Sequence, residues 1–287
     1  MREFDVQIGA FSAEIEEELK SGNLSFPTVF DLSLRIKQMA DDPNASTEDM
    51  AKLVRAEPVL SAKVLKMANS LLLNPYQREI SNVSTAVSRI GSSALRCLAY
   101  AVAADQLARD QRSRQMQLVA SGLWMHSIDV ASWAYAFARH LGRGNPDTAL
   151  LAGLMTHLGQ FYLMAMAARH PAIESDVRLF AQFVLKWETA VRQAVLEAFE
   201  LPEQIIDAVN VDLATPITWP PRSLGDVLFL AIQAAETPNP FADILGLGRR
   251  PELLDASLGD DGRAEFDALL AAARETRQQM LAVVTSA

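Results

Sequence analysis

Histidine is the side chain in this sequence best suited to chemistry near neutral pH, and there are 4 of them. His126 lies in LWMHS (123–127) and His157 in AGLMTHLGQFYLM (152–164), both inside apolar runs, while His140 and His170 fall where apolar segments end. An imidazole so placed can ligate a metal, act as a general base, or sit in a helical core with its nitrogens hydrogen-bonded. Which of these describes His157 decides whether the chain is an enzyme. Cys97, the single cysteine, sits in the apolar SALRCLAYAVA and reads as a small buried hydrophobe. With one cysteine, neither an internal disulfide nor a thiolate-rich zinc site can form. The sequence also lacks a Gly-rich phosphate loop, a Gly-x-Ser-x-Gly elbow and a His-Glu-x-x-His pair.

The elements that must position these residues read as helices. Apolar residues recur at helical spacing, convincing strands are absent, and 13 glycines and 13 prolines punctuate 287 residues thinly. Val29, Leu32, Ile36 and Met39 share one face of a helix that stops at Pro43. Ser46 with Asp49 forms a capping signal for a helix carrying Met50, Leu53 and Val54. Pro58 opens the next helix, which turns Leu60, Val64, Leu65 and Met67 inward. After a loop, a short helix ends at Gly91 and a longer one follows. Two long apolar helices, roughly 116–141 and 146–169, are expected at the centre of the domain. Two more follow, broken before Pro202, then a Pro-rich loop and the apolar LGDVLFLAIQAAETP. Residues 239–262 look short and irregular before a last helix with Phe266, Leu269, Leu270 and Ala273 on one side. The fold class is all-α: a multi-helix bundle.

Half of the residues are hydrophobic (50%) and 21% are charged, a globular composition with a sizeable core. The net charge of −9 conceals a basic middle, since residues 51–143 hold 12 basic and 5 acidic side chains between acidic flanks. Such a middle could draw an anionic ligand, but pairing with its own flanks or plain solvation is the simpler reading. The basic run Arg109, Arg112, Arg114 lies beside Asp105 and Asp110 and reads as a solvated helix end, so nucleic-acid binding is not expected. The 21 residues 148–168 carry no Asp, Glu, Lys or Arg, yet Thr156, His157, Gly159 and Gln160 would be costly in lipid. A helix buried in a protein core is the better account. The acid-rich N-terminus lacks a signal-peptide pattern, and the single cysteine fits a reducing compartment, so a cytoplasmic location is expected.

Taken in order and spacing, EPVLSAKVLKMANSLLL (57–73), ISNVSTAVSRIGSSALRCLA (80–99), LWMHS, AGLMTHLGQFYLM and the Trp187–Glu188 pair resemble the HDOD family. These are bacterial signalling domains related in fold to HD-type metal-dependent phosphohydrolases. The resemblance covers roughly residues 25–235. It implies an N-terminal helical lobe followed by an HD-like half, preceded by a segment 1–24 and followed by a C-terminal helical extension, 236–287. Asn69, Ser70, Gly91, Trp124, Gly153, Gly159 and Glu188 match motif positions and carry structural readings. Asn69 reads as a helix C-cap, and Gly159 as a site of close helix approach.

The same resemblance tests the chemistry. An HD-type site gathers a His-Asp pair with histidines and an aspartate from neighbouring helices around a divalent metal. Here Thr156 stands at the His position of that pair and His157 at its Asp position. The late aspartate is missing too, as no Asp occurs from 227 to 242. His126 and His157 remain as a pair without a partner carboxylate. The resemblance therefore implies a non-enzymatic signal-transduction module with no metal and no cofactor. It would act by binding signalling proteins in a groove between the N-terminal lobe and the degenerate HD-like pocket of His126, Thr156 and His157. Two alternatives stay open: a phosphohydrolase with a rearranged site around the two histidines, and a binder of a small anionic nucleotide in the vacated pocket.

Overall fold

The computed structural model describes residues 3–26, 30–70, 73–111, 113–142, 144–199, 201–211, 214–248 and 251–285. Those residues form thirteen α-helices and no strand. Val29 and Arg112, assigned above to a helix face and a basic run, lie outside them.

The N-terminal lobe packs α2 (Asp31–Asp41), α3 (Thr47–Arg55) and α4 (Pro58–Ala68) against α5 (Val83–Asp110). Its boundaries follow from local chemistry. Ser46 and Asp49 close a reciprocal capping box at the start of α3, and Pro58 occupies the first turn of α4. Gly91 takes φ 78°, a left-handed conformation that breaks α5 where the sequence ends one helix and starts another. The α4–α5 corner is fixed by side chains acting as backbone. Asn69 donates to the Leu65 and Ile80 carbonyls at 2.9 and 2.8 Å and accepts from the Ile80 N–H at 2.9 Å. Ser70 Oγ donates to the Met67 carbonyl at 2.7 Å.

The second half is organised around α6 (Arg114–Leu141), which is buried on every side from His126 to Ala138. Beside it run α7 (Pro146–Met155) and α8 (Leu158–Ala167), then α9 (Val177–Ala198), α10 (Glu203–Val209) and α11 (Leu224–Ala234). The uncharged stretch is enclosed entirely by these neighbours. Gly153 lets α7 press onto α6: a Cβ there would sit 2.5 Å from the Ala131 Cα. At Gly159 a Cβ would sit 2.8 Å from the Glu188 carbonyl oxygen, so glycine is what allows α8 and α9 to touch. Trp124 and Trp133 are buried in the core, as is Cys97, whose thiol pKa is pushed far up by burial. Arg109 pairs with Asp105 one turn away, and Arg96 with Asp41 of the acidic N-terminal stretch.

Three expectations need correction. The helix expected over 146–169 is two helices, broken at Thr156 and His157. Thr156 Oγ1 donates back to the Ala152 carbonyl at 3.0 Å while His157 leaves helical geometry, and the His157 carbonyl starts α8 by accepting from Gln160 and Phe161. A threonine back-bond ends a helix without the Gly or Pro that pattern reading depends on. Residues before 25, given no element above, form α1 (Glu3–Ser21), with Phe4, Phe11 and Ile15 buried. The irregular stretch 239–262 contains α12 (Pro240–Ile244) and the start of α13 (Pro251–Thr285), which bends at Gly259, where φ is 61°. Its glycines and acids read as loop, yet one left-handed residue suffices to join two helical runs. Phe266 and Ala273 are buried as expected, with Leu269 and Leu270 partly so.

Candidate functional site: a histidine-lined cavity

The break between α7 and α8 turns His157 toward a cavity of about 620 Å³. His126, Thr156, His157 and Glu188 all line it. The remaining wall comes from α8, α9, Asn210, Val211, Ala214, α11, the stretch 235–239, α12, Leu247, Gly248 and the start of α13. No residue of the N-terminal lobe contributes, so the cavity does not lie in the groove expected between the lobe and the second half. Asn69, Ser70 and Gly91 belong to the α4–α5 corner, and Gly153, Gly159 and Trp124 to helix packing. None of these six is in the cavity wall.

The two imidazoles face each other with ring centroids 4.6 Å apart and planes at 62°. His126 Nδ1 lies 2.7 Å from the Thr237 carbonyl. A carbonyl only accepts, so Nδ1 carries a proton. His157 is 6% exposed, and its Nδ1 has no hydrogen-bond partner among the described residues. Burial first, then the neighbouring His126 and Arg192, hold its pKa well below the ordinary histidine value. His157 is therefore neutral at physiological pH.

Gly159 has a consequence here. The close contact it permits brings the Glu188–Arg192 turn of α9 against the first turn of α8. Arg192, 8% exposed, donates to Glu188 Oε1 at 3.0 Å and to Asn210 Oδ1 at 3.4 Å. Across the cavity Asn239 donates to Gln160 Oε1 at 2.9 Å while its own oxygen caps α12.

The sequence reading left the histidines without a partner carboxylate, and this needs amendment. Asp129, one turn after His126 on α6 and 1% exposed, accepts from the Glu236 and Thr237 N–H groups at 2.7 and 2.9 Å. Its other oxygen accepts twice from Arg277 of α13, at 3.1 and 2.6 Å. The Arg277 guanidinium also lies over the Trp133 ring, 5.4 Å from its centroid. Asp129 thus holds the Thr237 peptide, whose carbonyl fixes the His126 ring. The carboxylate reaches the histidine through the backbone. Asp129, Arg192, Thr237 and Arg277 were all missed. The one available signal was an aspartate three residues after a histidine in a helix otherwise free of carboxylates.

An HD-type architecture implies a divalent metal, and the residues present do not fit one. Among the described residues no three His, Cys, Asp or Glu side chains converge to hold an ion. Thr156 gives its hydroxyl proton to its own helix, Glu188 accepts from Arg192, and Asp129 is fully engaged elsewhere. Two imidazoles alone make an incomplete coordination shell.

Fold and site together define an all-α domain of HD-like architecture whose histidine site, among the described residues, does not gather the donor set of a metal centre. The chain belongs to the HDOD domain family, whose profile matches residues 26–212. Among solved structures it is similar to a Shewanella amazonensis SB2B protein provisionally named a metal-dependent phosphohydrolase. That match has 23% identity and a TM-score of 0.64, covering 96% of this chain and 99% of that one. An HDOD domain protein of unknown function from Geobacter sulfurreducens is 23% identical with a TM-score of 0.55, covering 93% and 96%. A protein from Marinobacter aquaeolei VT8, provisionally named a signal transduction protein, is 19% identical with a TM-score of 0.51, covering 97% and 66%. At these identities the likeness is one of fold. No curated protein matches the chain.

Proposed function

We propose that this chain is a non-enzymatic regulatory module of a bacterial cytoplasmic signalling system that acts by binding a protein partner at the cavity. The observation that carries the reading is the Thr156–His157 turn. Where an HD enzyme would gather metal donors, this chain presents a back-bonded threonine and a buried neutral imidazole. What remains is a pocket of ordinary ligand-binding size whose wall residues His126, Glu188 and Asn239 are held by hydrogen bonds to Thr237, Arg192 and Gln160. Membership of the HDOD family, the signalling name of the Marinobacter relative and the bacterial source of all three structural relatives support the same direction. Partner binding would act by favouring one of two arrangements of the helices around the cavity.

The test combines metal analysis of untagged protein, a panel of phosphomonoesters and phosphodiesters, and cross-linking to partners in a cell extract. The expected result is no stoichiometric metal, no hydrolysis, and a specific partner whose cross-link is lost on substituting a cavity residue. Stoichiometric iron, manganese or zinc together with hydrolysis abolished in His157→Ala would overturn the proposal. Repeated failure to capture any specific partner counts against it as well.

A further inference from the structure

The cavity's charges run opposite to the anionic ligand that a basic mid-sequence suggests. Among the described residues its wall carries two carboxylates, Glu188 and Asp243, and one guanidinium, Arg192. That guanidinium is already engaged by Glu188 and Asn210, so it offers little to a phosphate. None of the lysines and arginines of 51–143 is among the described wall residues, and that segment contributes only His126. Asp243, exposed on α12, stands at the cavity with no salt-bridge partner among the described residues. His157 lines the same space, nine-tenths buried, with Nδ1 lacking a partner, and a buried nitrogen in that state marks a missing hydrogen-bonding group. Leu185, Val211, Ile232 and Leu253 make much of the remaining surface apolar. The whole chain, at −9, adds a field of the same sign.

We infer that the cavity binds a guanidinium or ammonium group carried on an apolar stem. Asp243 supplies a charge-assisted acceptor for the head group, Glu188 adds the carboxylate oxygen that Arg192 does not take, and the apolar side chains cover the stem. The inference rests on reading the cavity as a binding site rather than a hydrolytic one, and it names the chemistry that site selects. Two sources share this chemistry: an arginine or lysine side chain of a protein partner, and a free alkylamine. No bond is made or broken.

Calorimetric titration of the full chain at low salt tests the idea, with agmatine, putrescine and N-acetylarginine amide as cationic probes and AMP and pyrophosphate as anionic ones. The cationic probes are expected to bind and the anionic ones not to. Asp243→Asn, a change on the exposed side of α12, should weaken cationic binding about tenfold, the loss of one charge-assisted contact, and its melting temperature is measured alongside. Glu188→Gln should act in the same sense, and the Asp243 variant decides the matter if Glu188→Gln fails to fold. Tighter binding of the blocked arginine than of agmatine assigns the group to a protein partner, and the reverse order assigns it to a free amine. The inference is overturned if AMP or pyrophosphate binds in preference, or if no cationic probe gives heat up to about 10 mM. It is overturned equally if Asp243→Asn binds like the unmodified chain. These results leave the partner-binding proposal standing, whereas metal-dependent hydrolysis would remove both.

Discussion

Four helices lie outside the segment matched by the family profile, and the first and last of them, α1 and α13, are attached to the domain in different ways. The first, α1, packs Phe4, Phe11 and Ile15 against the core and makes its polar contacts at one edge. Glu14 accepts from Arg169 and pairs with His170, at 2.7 and 2.9 Å, and Gln7 accepts from the Ala172 N–H at 2.8 Å. One polar contact goes deeper: Glu18 accepts from the Tyr162 hydroxyl at 2.6 Å and from the Ser25 N–H at 3.2 Å. The last helix, α13, lies along α6 and reaches the cavity wall. Arg277 meets Asp129, Thr276 meets His140 at 3.1 Å, and Glu265 accepts from the Trp219 indole N–H at 2.7 Å. The contacts of α1 meet α9, Tyr162 of α8 and the turn after α8, whereas those of α13 hold the peptide that orients His126. Both helices close the domain, but only α13 belongs to the site.

That distinction predicts unequal costs. Arg277→Met leaves Asp129 buried with an uncompensated charge, a class of change that costs about 3–5 kcal/mol. Pairing it with Asp129→Leu removes the charge and should recover part of the loss, because an apolar pair of similar volume can replace a buried ion pair. Urea unfolding of the single and double variants measures both quantities. A cost for Arg277→Met no larger than that of a surface ion pair would break the comparison, since α13 would then be a covering element like α1.

On the α1 side the largest single polar effect should come from Tyr162→Phe. The tyrosine hydroxyl is held in its protonated, donating form by burial and by the adjacent Glu18, both of which raise its pKa. Removing it takes a hydrogen bond from a buried carboxylate, worth about 1.5–3 kcal/mol. The loss should appear in urea unfolding while the cavity keeps its affinity for ligands. A change in cavity binding of the same size as that caused by Arg277→Met would show that α1 is coupled to the site after all.

The helices and much of their capping were legible because apolar period, Pro58, the Ser46–Asp49 pair and Gly91 are local signals. Gly159 was legible for the same reason, as a missing side chain in a run of large ones. The cavity was not. Its residues come from His126 to Leu253, and their meeting depends on a turn at Thr156 with no Gly or Pro to announce it. The Asp129–Arg277 pair spans 148 residues, and neither member carries a local pattern. The charge of the cavity was not legible for a related reason. A segment's net charge says little about a pocket to which that segment contributes a single side chain.

His157 offers a final way to sharpen the contrast, because its environment lies at the α13 end of the molecule. In the folded chain the ring takes a proton only well below the usual value, while in the unfolded chain it titrates near about 6.5. Below about pH 6.5 the unfolded chain therefore binds more protons, and stability falls as the pH is lowered. The slope from this one group approaches about 1.4 kcal/mol per pH unit and ends only where the folded ring itself titrates; above about pH 7 the group contributes no slope. His157→Gln should flatten unfolding free energy between about pH 6.5 and 5, whatever its effect on stability at neutral pH, and Tyr162→Phe should leave that slope intact. An unchanged slope in His157→Gln would mean that the ring takes a proton as readily in the folded chain as in the unfolded one, and below about pH 6.5 the cavity would then hold two cations beside its two carboxylates. The argument for a cationic ligand would lose its sign.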